Sequence, residues 1–261
     1  MKVKGLTTMN LFDISNKLIM VTGSSQGIGL SLARGYAEAG AKVIINGRNP
    51  EKVATVVADL RQAGYQAEGR AFDVVDKEAV AQAVDSIEQE IGPIDVLVNN
   101  AGIQQRAPFE ELSIEAWQAV IDTNLTSAFI ISQLVARRMI PRRQGKIINI
   151  TSLNAEAARP TIANYCAAKG GLKMFTKSLA TELGKYNIQT NAIGPGYIET
   201  ELTGKLMADP EFDAWVKKEV PLGRWGKTED LIGAAVFLAS AASDYVNGHT
   251  LYVDGGWQAS L

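Results

Sequence analysis

Short runs of apolar, often β-branched residues alternate along this chain with longer segments whose apolar residues recur at helical spacing. The short runs predict seven strands: Leu18–Thr22, Lys42–Asn46, Gln66–Phe72, Val96–Asn99, Lys146–Ile150, Gln189–Ile193 and Thr250–Val253. The longer segments predict six helices: Gly27–Ala39, Pro50–Ala63, Lys77–Ile91, Ser113–Met139, Asn164–Tyr186 and Thr228–Ala239. Nearly continuous apolar strands that alternate with helices are typical of a doubly wound α/β fold, a parallel sheet covered by helices on both faces.

The domain organisation follows from the length and from one interruption of this rhythm. A chain of 261 residues suits one large α/β domain, which we expect to span residues 11–261 after a flexible N-terminal extension, residues 1–10. The longest departure from the alternation runs from about 194 to 226 and follows a strand end. Long insertions at such positions are typical of lids and binding loops, and an ordinary surface excursion is the alternative.

Composition excludes several classes of function. A net charge of −2 lacks the basic excess of nucleic-acid binders, and no apolar run reaches the ~20 residues that span a membrane. Cys166 is the only cysteine, so no intramolecular disulfide can form and a cytoplasmic protein is expected. His249 is the only histidine, which excludes a histidine-cluster metal site and disfavours a Ser-His-Asp hydrolase. We expect no metal.

A glycine-rich loop, Thr22-Gly-Ser-Ser-Gln-Gly-Ile-Gly29, joins the first strand to the first helix. Gly23 allows a tight turn, while Gly27 and Gly29 allow backbone to approach a pyrophosphate, which the amides of a helix N-terminus favour. The spacing differs from the usual dinucleotide fingerprint, so a plain tight turn stays open on this motif alone. The candidate cofactor-binding residues of the loop are Gly23, Ser24, Ser25, Gln26, Gly27, Ile28 and Gly29.

The end of the second strand bears on the choice of cofactor. It reads Asn46-Gly-Arg48-Asn, and no carboxylate, the usual partner of the NAD ribose 2′-hydroxyl, appears before Glu51. The guanidinium of Arg48 suits a 2′-phosphate instead, with Ser24 or Asn46 assisting. The sequence therefore favours NADP over NAD, and a solvated Arg48 beside the helix is the alternative.

A tyrosine and a lysine, Tyr165 and Lys169, stand one turn apart on the same face of a predicted helix. A phenol ionises near pH ~10, so it is a poor acid–base group at neutral pH unless a nearby positive charge favours the phenolate. Such pairs also occur by chance on solvated helices. This pair gains weight from Ser152, which follows a predicted strand, and from the glycine loop; together they predict proton transfer beside a dinucleotide.

Taken together, these motifs resemble the classical short-chain dehydrogenase/reductase family from about Leu11 to the C-terminus. The resemblance rests on the glycine loop, Asp73-Val74, Asn99-Asn-Ala-Gly102, Asn124, Ser152, Tyr165-x-x-x-Lys169, Pro195-Gly196 and Val253-Asp-Gly-Gly256. It implies a seven-stranded Rossmann sheet, which agrees with the seven predicted strands.

The resemblance also implies residue roles. Tyr165 matches the catalytic acid–base, Lys169 the group that lowers its pKa and holds the nicotinamide ribose, and Ser152 the group that hydrogen-bonds the substrate oxygen. Asn124 matches the residue that anchors a water of the proton relay. The implied cofactor contacts are Asp73 and Val74 at the adenine, Asn100, Ala101 and Gly102 along the cofactor, Pro195, Gly196 and Ile198 beside it, and Thr200 at the nicotinamide carboxamide.

The substrate is expected from the variable segments, which are polar here. The candidate substrate contacts are Gln104, Arg106, Ser152, Asn154, Tyr165 and Tyr197. Arg106 suits a carboxylate, although a surface or subunit-contact role is the alternative, and a long acyl chain would need a more apolar site. The chain is similar to family members that act on sugar acids, some of which carry a second basic residue where Gln105 stands.

We therefore expect a reversible, NADP-dependent dehydrogenase of a sugar acid. The alternatives are another sugar or polyol dehydrogenase, a 3-oxoacyl carrier-protein reductase, and a non-catalytic NADP-binding sensor or scaffold. Retention of the serine, tyrosine and lysine argues against the last. The resemblance further implies a homotetramer, in which the two long helices Ser113–Met139 and Asn164–Tyr186 or the C-terminal residues 257–261 could form the contacts.

Overall fold

The computed structural model describes residues 11–260. One parallel sheet has the strand order β3-β2-β1-β4-β5-β6-β7. The strands are β1 (Leu18–Val21), β2 (Lys42–Gly47), β3 (Ala67–Ala71), β4 (Val96–Asn99), β5 (Gly145–Ile150), β6 (Ile188–Pro195) and β7 (Thr250–Val253). The strand order reverses between β1 and β4, and parallel sheets bind ligands outside the carboxyl ends of such strands. The predicted doubly wound fold is confirmed, whereas the predicted N-terminal extension lies outside the described residues.

The helices follow the prediction except at two π turns and in the insertion. They are α1 (Gly27–Glu38), α2 (Pro50–Gln62), α3 (Lys77–Ser86), α4 (Ile114–Ile121), α5 (Ser127–Arg142), α6 (Ala163–Leu183), α7 (Gly204–Met207), α8 (Pro210–Glu219) and α9 (Ile232–Ala239). One π turn, Ile87–Ile91, follows α3; another, Asp122–Thr126, divides the single helix predicted for 113–139 into α4 and α5. Such turns often occur at functional sites, and the second contains Asn124.

The core lies in two layers, one on each face of the sheet. Successive strand residues point to opposite faces, so Ile19 packs with α1, α2 and α9 while Met20 packs with α3 and α5. Both faces are covered, which explains why the strands read as continuous apolar runs. A third, smaller cluster joins Leu153 to Tyr197, Val216 and Trp225 and so packs the insertion against the end of β5.

The continuous helix Ile114–Arg142 is long and apolar enough to cross a membrane by length and composition. Its residues Val120, Ile131, Val135 and Met139 are buried inside the protein, where three of them pack against the apolar residues of the central strands. Packing in the core therefore accounts for its apolar composition.

Candidate active site

A cleft of about 720 Å³ opens at the carboxyl ends of β1, β2, β4, β5 and β6. Most of the predicted cofactor residues line it: Gly23, Ser25, Gln26, Gly27, Ile28, Gly29, Asn46, Arg48, Asp73, Val74, Asn100, Ala101, Gly102, Tyr165, Lys169, Pro195, Gly196, Ile198 and Thr200. Ser152 lines it as well. The fold thus gathers one site from segments that are far apart in the sequence.

The glycine loop fits tightly against the neighbouring strand end. A Cβ on Gly29 would lie 2.4 Å from the carbonyl oxygen of Gly23, and a Cβ on Gly23 would lie 2.9 Å from Cα of Ala101. Gly27 has a φ of +57° and open space in front of it. The Asn100 side chain donates to the carbonyls of Thr22 (2.9 Å) and Gly23 (3.0 Å). Close packing therefore requires glycine at positions 23 and 29, whereas the backbone of Gly27 is open to the cleft.

Two residues predicted to assist at a 2′-phosphate are committed elsewhere. The Ser24 side chain is fully buried, donates to the Val21 carbonyl and accepts the N–H of Asn46, and does not line the cleft. The Asn46 amide donates to the carbonyls of Arg70 and Phe72, while its oxygen accepts the N–H of Gly23. These two side chains therefore fix the loop, because buried polar groups satisfy each other, and their assistance at a 2′-phosphate stays a prediction.

Two cationic side chains line the rim of the cleft that follows the end of β2. The Arg48 side chain is 75% exposed and lies 3.9 Å from the Asp73 carboxylate, while Lys52 projects from the first turn of α2. The sequence did not lead to Lys52. Its position in the first turn of α2, three residues after the N-cap Asn49 and close to Arg48, could have indicated that it lies at the same end of the sheet. An exposed ion pair at this distance is weak, so the Arg48 guanidinium can turn to another anion at little cost.

The serine, tyrosine and lysine meet in the cleft. The Ser152 hydroxyl lies beside Tyr165, where it favours a lower pKa of the phenol, and it accepts the N–H of Asn154 at 3.1 Å. The Lys169 ammonium is buried, donates to the Ile150 carbonyl at 2.6 Å and lies 5.6 Å from the centre of the Tyr165 ring. The arrangement holds a phenol, a neutral donor and a cation around one point, which suits proton exchange with a hydroxyl or carbonyl oxygen.

Desolvation dominates the ionisation of the Tyr165 phenol and the Lys169 ammonium. Burial raises the pKa of the Tyr165 phenol to about 12, and the hydrogen bond with Ser152 offsets this only in part. Burial also lowers the pKa of Lys169 to about 8. The physical reason is that desolvation disfavours both charged forms, so the protein's own groups keep the phenol protonated.

The Asn124 side chain bonds to backbone beside the cleft and does not line the cleft itself. Its side-chain oxygen accepts the N–H of Ile103 at 2.8 Å, and its amide donates to the Ile103 carbonyl at 2.9 Å. Both ends of the side-chain amide are therefore occupied by one backbone residue, and the role of Asn124 at a relay water stays a prediction. The contact ties the π turn to the segment that follows Gly102, which does line the cleft.

A buried asparagine that the sequence reasoning missed precedes the tyrosine. The Asn164 amide donates to the carbonyls of Gln105 (3.1 Å) and Ala116 (3.3 Å), and its oxygen accepts the N–H of Tyr165 at 2.8 Å. It thereby connects the start of α6 to α4 and to the loop after β4. No periodicity marks such a residue, because its partners are distant in the sequence.

The predicted substrate contacts are dispersed. Gln104, Arg106, Asn154 and Tyr197 do not line this cleft, whereas Gln105 does. The Asn154 side-chain amide donates to the carbonyl of Ala157, three residues later, and so stabilises the local turn. Arg106 and Tyr197 lie instead at a second cluster beside the cleft, which is described below.

Thr200 both lines the cleft and caps a turn, since its hydroxyl and that of Thr203 satisfy each other's backbone N–H groups. The residues Glu201, Leu202 and Thr203 extend this wall, so the insertion supplies part of the cleft.

Comparison with known proteins gives a consistent picture. Residues 23–258 match a family model described as "Enoyl-(Acyl carrier protein) reductase". The chain is 51% identical over 257 residues to "Gluconate 5-dehydrogenase" of Gluconobacter oxydans, covering 97% of this chain and 98% of that protein. It is 50% identical over 247 residues to "5-keto-D-gluconate 5-reductase" of Escherichia coli K12, covering 95% and 97%.

A solved structure matches almost the whole fold. The crystal structure of a gluconate 5-dehydrogenase from Burkholderia cenocepacia J2315, in complex with NADP and tartrate, superposes with a TM-score of 0.96 at 49% identity. The match covers 98% of this chain and 100% of that one.

The buried lysine gives a prediction for stability against pH. Between a folded pKa of about 8 and an unfolded value of 10.5, the unfolded chain holds a proton that the folded chain lacks. The free energy of unfolding therefore rises with pH across this window. Lys169→Met removes this dependence, so wild type should gain on the order of 1–2 kcal/mol over the variant between about pH 7.5 and 9.5.

Thermal unfolding of both proteins at each pH measures the difference, with the exposed Lys77→Met as the control. A difference that stays constant with pH would show that Lys169 keeps its ordinary pKa in the folded protein.

Proposed function

This chain belongs to the classical short-chain dehydrogenase/reductase family, and from that premise we propose that it interconverts D-gluconate and 5-keto-D-gluconate with NADP(H). It is an NAD(P)-dependent dehydrogenase that acts on a CH–OH group. The observation that carries the choice of substrate is the identity of about half of all residues, over nearly the full length, with relatives named for this reaction. The residues of the cleft support it.

In the direction of reduction, the Tyr165 hydroxyl gives its proton to the ketone oxygen, and the Ser152 hydroxyl donates a hydrogen bond to that oxygen as charge develops on it. Bound NADPH supplies the hydride at C4 of its nicotinamide. A phenol that burial keeps protonated is the form that this direction requires. The raised pKa also makes this phenol a weak acid, so positive charge beside it assists proton donation in this direction as well.

In the direction of oxidation, Tyr165 must first lose its proton in order to accept one from the substrate hydroxyl. The Lys169 ammonium and the positive charge of an oxidised nicotinamide both favour the phenolate. Lowering the pKa from about 12 toward neutrality needs several kcal/mol at ~1.4 kcal/mol per unit. We therefore assign Lys169 two tasks, holding the nicotinamide ribose and supplying positive charge beside the phenol.

The rim near the end of β2 favours NADP over NAD. Arg48 and Lys52 both line it, and Asp73 is already paired with Arg48. Two cations suit a 2′-phosphate, while NAD would place only an uncharged hydroxyl there. Ser25 lines the same end of the cleft and can add a hydroxyl donor.

We further assign residues 11–261 to a single domain in which the insertion, about 194–226, acts as the substrate lid. Its aromatic residues pack on Leu153, the residue after Ser152, so the lid and the catalytic segment share one apolar contact. Arg106 supplies the positive charge that a sugar-acid carboxylate needs. A cytoplasmic location is also proposed, because sugar acids are small soluble substrates.

The substrate proposal predicts rapid NADPH oxidation with 5-keto-D-gluconate, measured as the loss of absorbance at 340 nm. Other keto sugar acids, ketoses and a 3-oxoacyl thioester are assayed separately for comparison. Tyr165→Phe should reduce turnover by ~10²–10⁴-fold, because the proton donor is lost, while NADPH binding measured by fluorescence is unchanged. Brisk turnover of the thioester with none of the sugar acid would reject the proposed substrate. Undiminished turnover by the tyrosine variant would reject the acid–base role.

The cofactor proposal predicts that Arg48→Ala raises the KM for NADPH by about 5–20-fold and leaves that for NADH nearly unchanged, since an exposed charged contact is lost. Arg34→Ala, an exposed residue of α1 outside the cleft, is the matched control. An unaltered NADPH-to-NADH preference in Arg48→Ala would show that another group selects the cofactor.

A homotetramer is also proposed. Large apolar side chains project from the surface near α4, α5 and α6: Phe109 (77% exposed), Ile114 (68%), Phe129 (47%) and Met174 (63%). Burying them between copies would remove apolar area from water.

Light scattering should give about four times the chain mass of 28.0 kDa, and Met174→Glu should lower the measured mass. A wild-type protein that stays at the mass of one chain excludes the assembly.

A further inference from the structure

Two arginines that are far apart in the sequence lie together beside the cleft. Arg106 follows β4, and Arg159 stands on the loop between Ser152 and α6. Nε of Arg106 donates to the Thr161 hydroxyl at 3.2 Å, two residues beyond Arg159. Within residues 11–260, neither guanidinium forms an ion pair with a carboxylate. The cluster is therefore a pair of like charges that is not neutralised from within the described chain.

The two charges act on each other. Burial lowers the pKa of Arg106, and the nearby Arg159 lowers it further. Holding two cations together in partly desolvated surroundings costs free energy, and a shared anion removes that cost. Guanidinium groups bind carboxylates with two parallel hydrogen bonds, so carboxylate is the chemistry that this pair fits.

Arg159 is held in place by the aromatic residues of the insertion. Its guanidinium lies 4.3 Å from the ring centre of Phe212 and 5.5 Å from that of Trp215, and Nη1 donates to the Tyr197 hydroxyl at 3.4 Å. Cation–π contacts of this kind restrict the side chain while leaving most N–H groups free. The group is thus ordered before any anion arrives.

Thr161, a residue with strained backbone, connects the loop of Arg159 to the loop of Arg106. Thr161 has a φ of +71°, in the left-handed region that a β-branched residue rarely adopts. Its carbonyl accepts the N–H of Ala107 at 3.1 Å, and its hydroxyl accepts from Arg106. Strained residues persist where the surroundings hold them, often at functional sites, and here the two hydrogen bonds hold Thr161 and fix the loop of Arg159 against that of Arg106.

We propose that Arg106 and Arg159 together bind the carboxylate of the sugar acid, and that Arg159 sets the preference for acids over uncharged sugars. This inference rests on the proposed function. Gln105, the neighbour of Arg106, lines the cleft, and Leu153, the neighbour of Ser152, shares a cluster with Tyr197. The pair is therefore adjacent to the reaction centre without touching it, as suits a carboxylate that lies several carbon atoms from the reacting carbon.

The test compares Arg159→Gln and Arg159→Lys with Arg34→Gln as a surface control, using 5-keto-D-gluconate and an uncharged ketohexose with NADPH. The glutamine variant should raise the KM for the acid by ~10–100-fold, the loss expected for hydrogen bonds to a charged group, and change the ketohexose value little. The lysine variant should fall between, because it keeps the charge and loses the planar fork. An equal loss on both substrates would reduce Arg159 to a support for the lid and overturn the inference.

A second readout separates this inference from the proposed function. D-gluconate in the presence of NADP should raise the Tm of wild type and of Tyr165→Phe, and should fail to raise that of Arg159→Gln. Protection of wild type without turnover of any sugar acid would reject the reaction while supporting the carboxylate site. Turnover of sugar acids with unaltered KM in Arg159→Gln would reject the carboxylate site alone, and neither binding nor turnover would reject both.

Discussion

One buried hydrogen bond, from the Lys169 ammonium to the Ile150 carbonyl, is the constraint on which the site depends. It fastens α6 to the last residue of β5, and Ser152 follows that residue by two positions. The relative placement of Ser152 and Tyr165 is therefore set by a contact that neither of them makes. Burying a charged amine is costly unless it is bonded, and the lowered pKa of Lys169 is the sign of that cost.

Polar groups inside the sheet carry this rigidity outward. The Asn99 amide donates to Ser132 (2.9 Å) and to Asn149 (2.8 Å), which in turn donates to Thr176 (2.9 Å). This network joins β4 and β5 to α5 and to α6, the helix that carries Tyr165 and Lys169. Hydrogen bonds in a dry interior are specific in direction, so they fix register where apolar packing alone would tolerate small shifts. Pre-organisation of this kind is what proton transfer over a short distance requires.

The two ends of the site use opposite electrostatic strategies. At the reaction centre, burial raises the pKa of Tyr165 and lowers that of Lys169, so the ionisation of both groups is sensitive to a charge that enters the cleft. At the rims, Arg48 and the Arg106–Arg159 pair present guanidinium groups, which suit the phosphate and carboxylate groups of the proposed ligands. The proposed substrate contacts thus lie on loops and the insertion, whereas Ser152, Tyr165 and Lys169 follow the end of β5 or lie on α6.

The sequence by itself determined the seven strands, most helix bounds, the glycine loop and the Tyr165–Lys169 pair, because periodicity, turn chemistry and helical spacing are local properties. Only the tertiary structure decided that Asn124 binds the backbone of Ile103 and that Arg159 lies beside Arg106. It also decided the direction of the Tyr165 pKa. These outcomes depend on burial and on contacts between residues that are distant in the chain, such as the 55 positions between Arg106 and Thr161. No local pattern carries that information, since a side chain's solvent and neighbours exist only once the layers have packed.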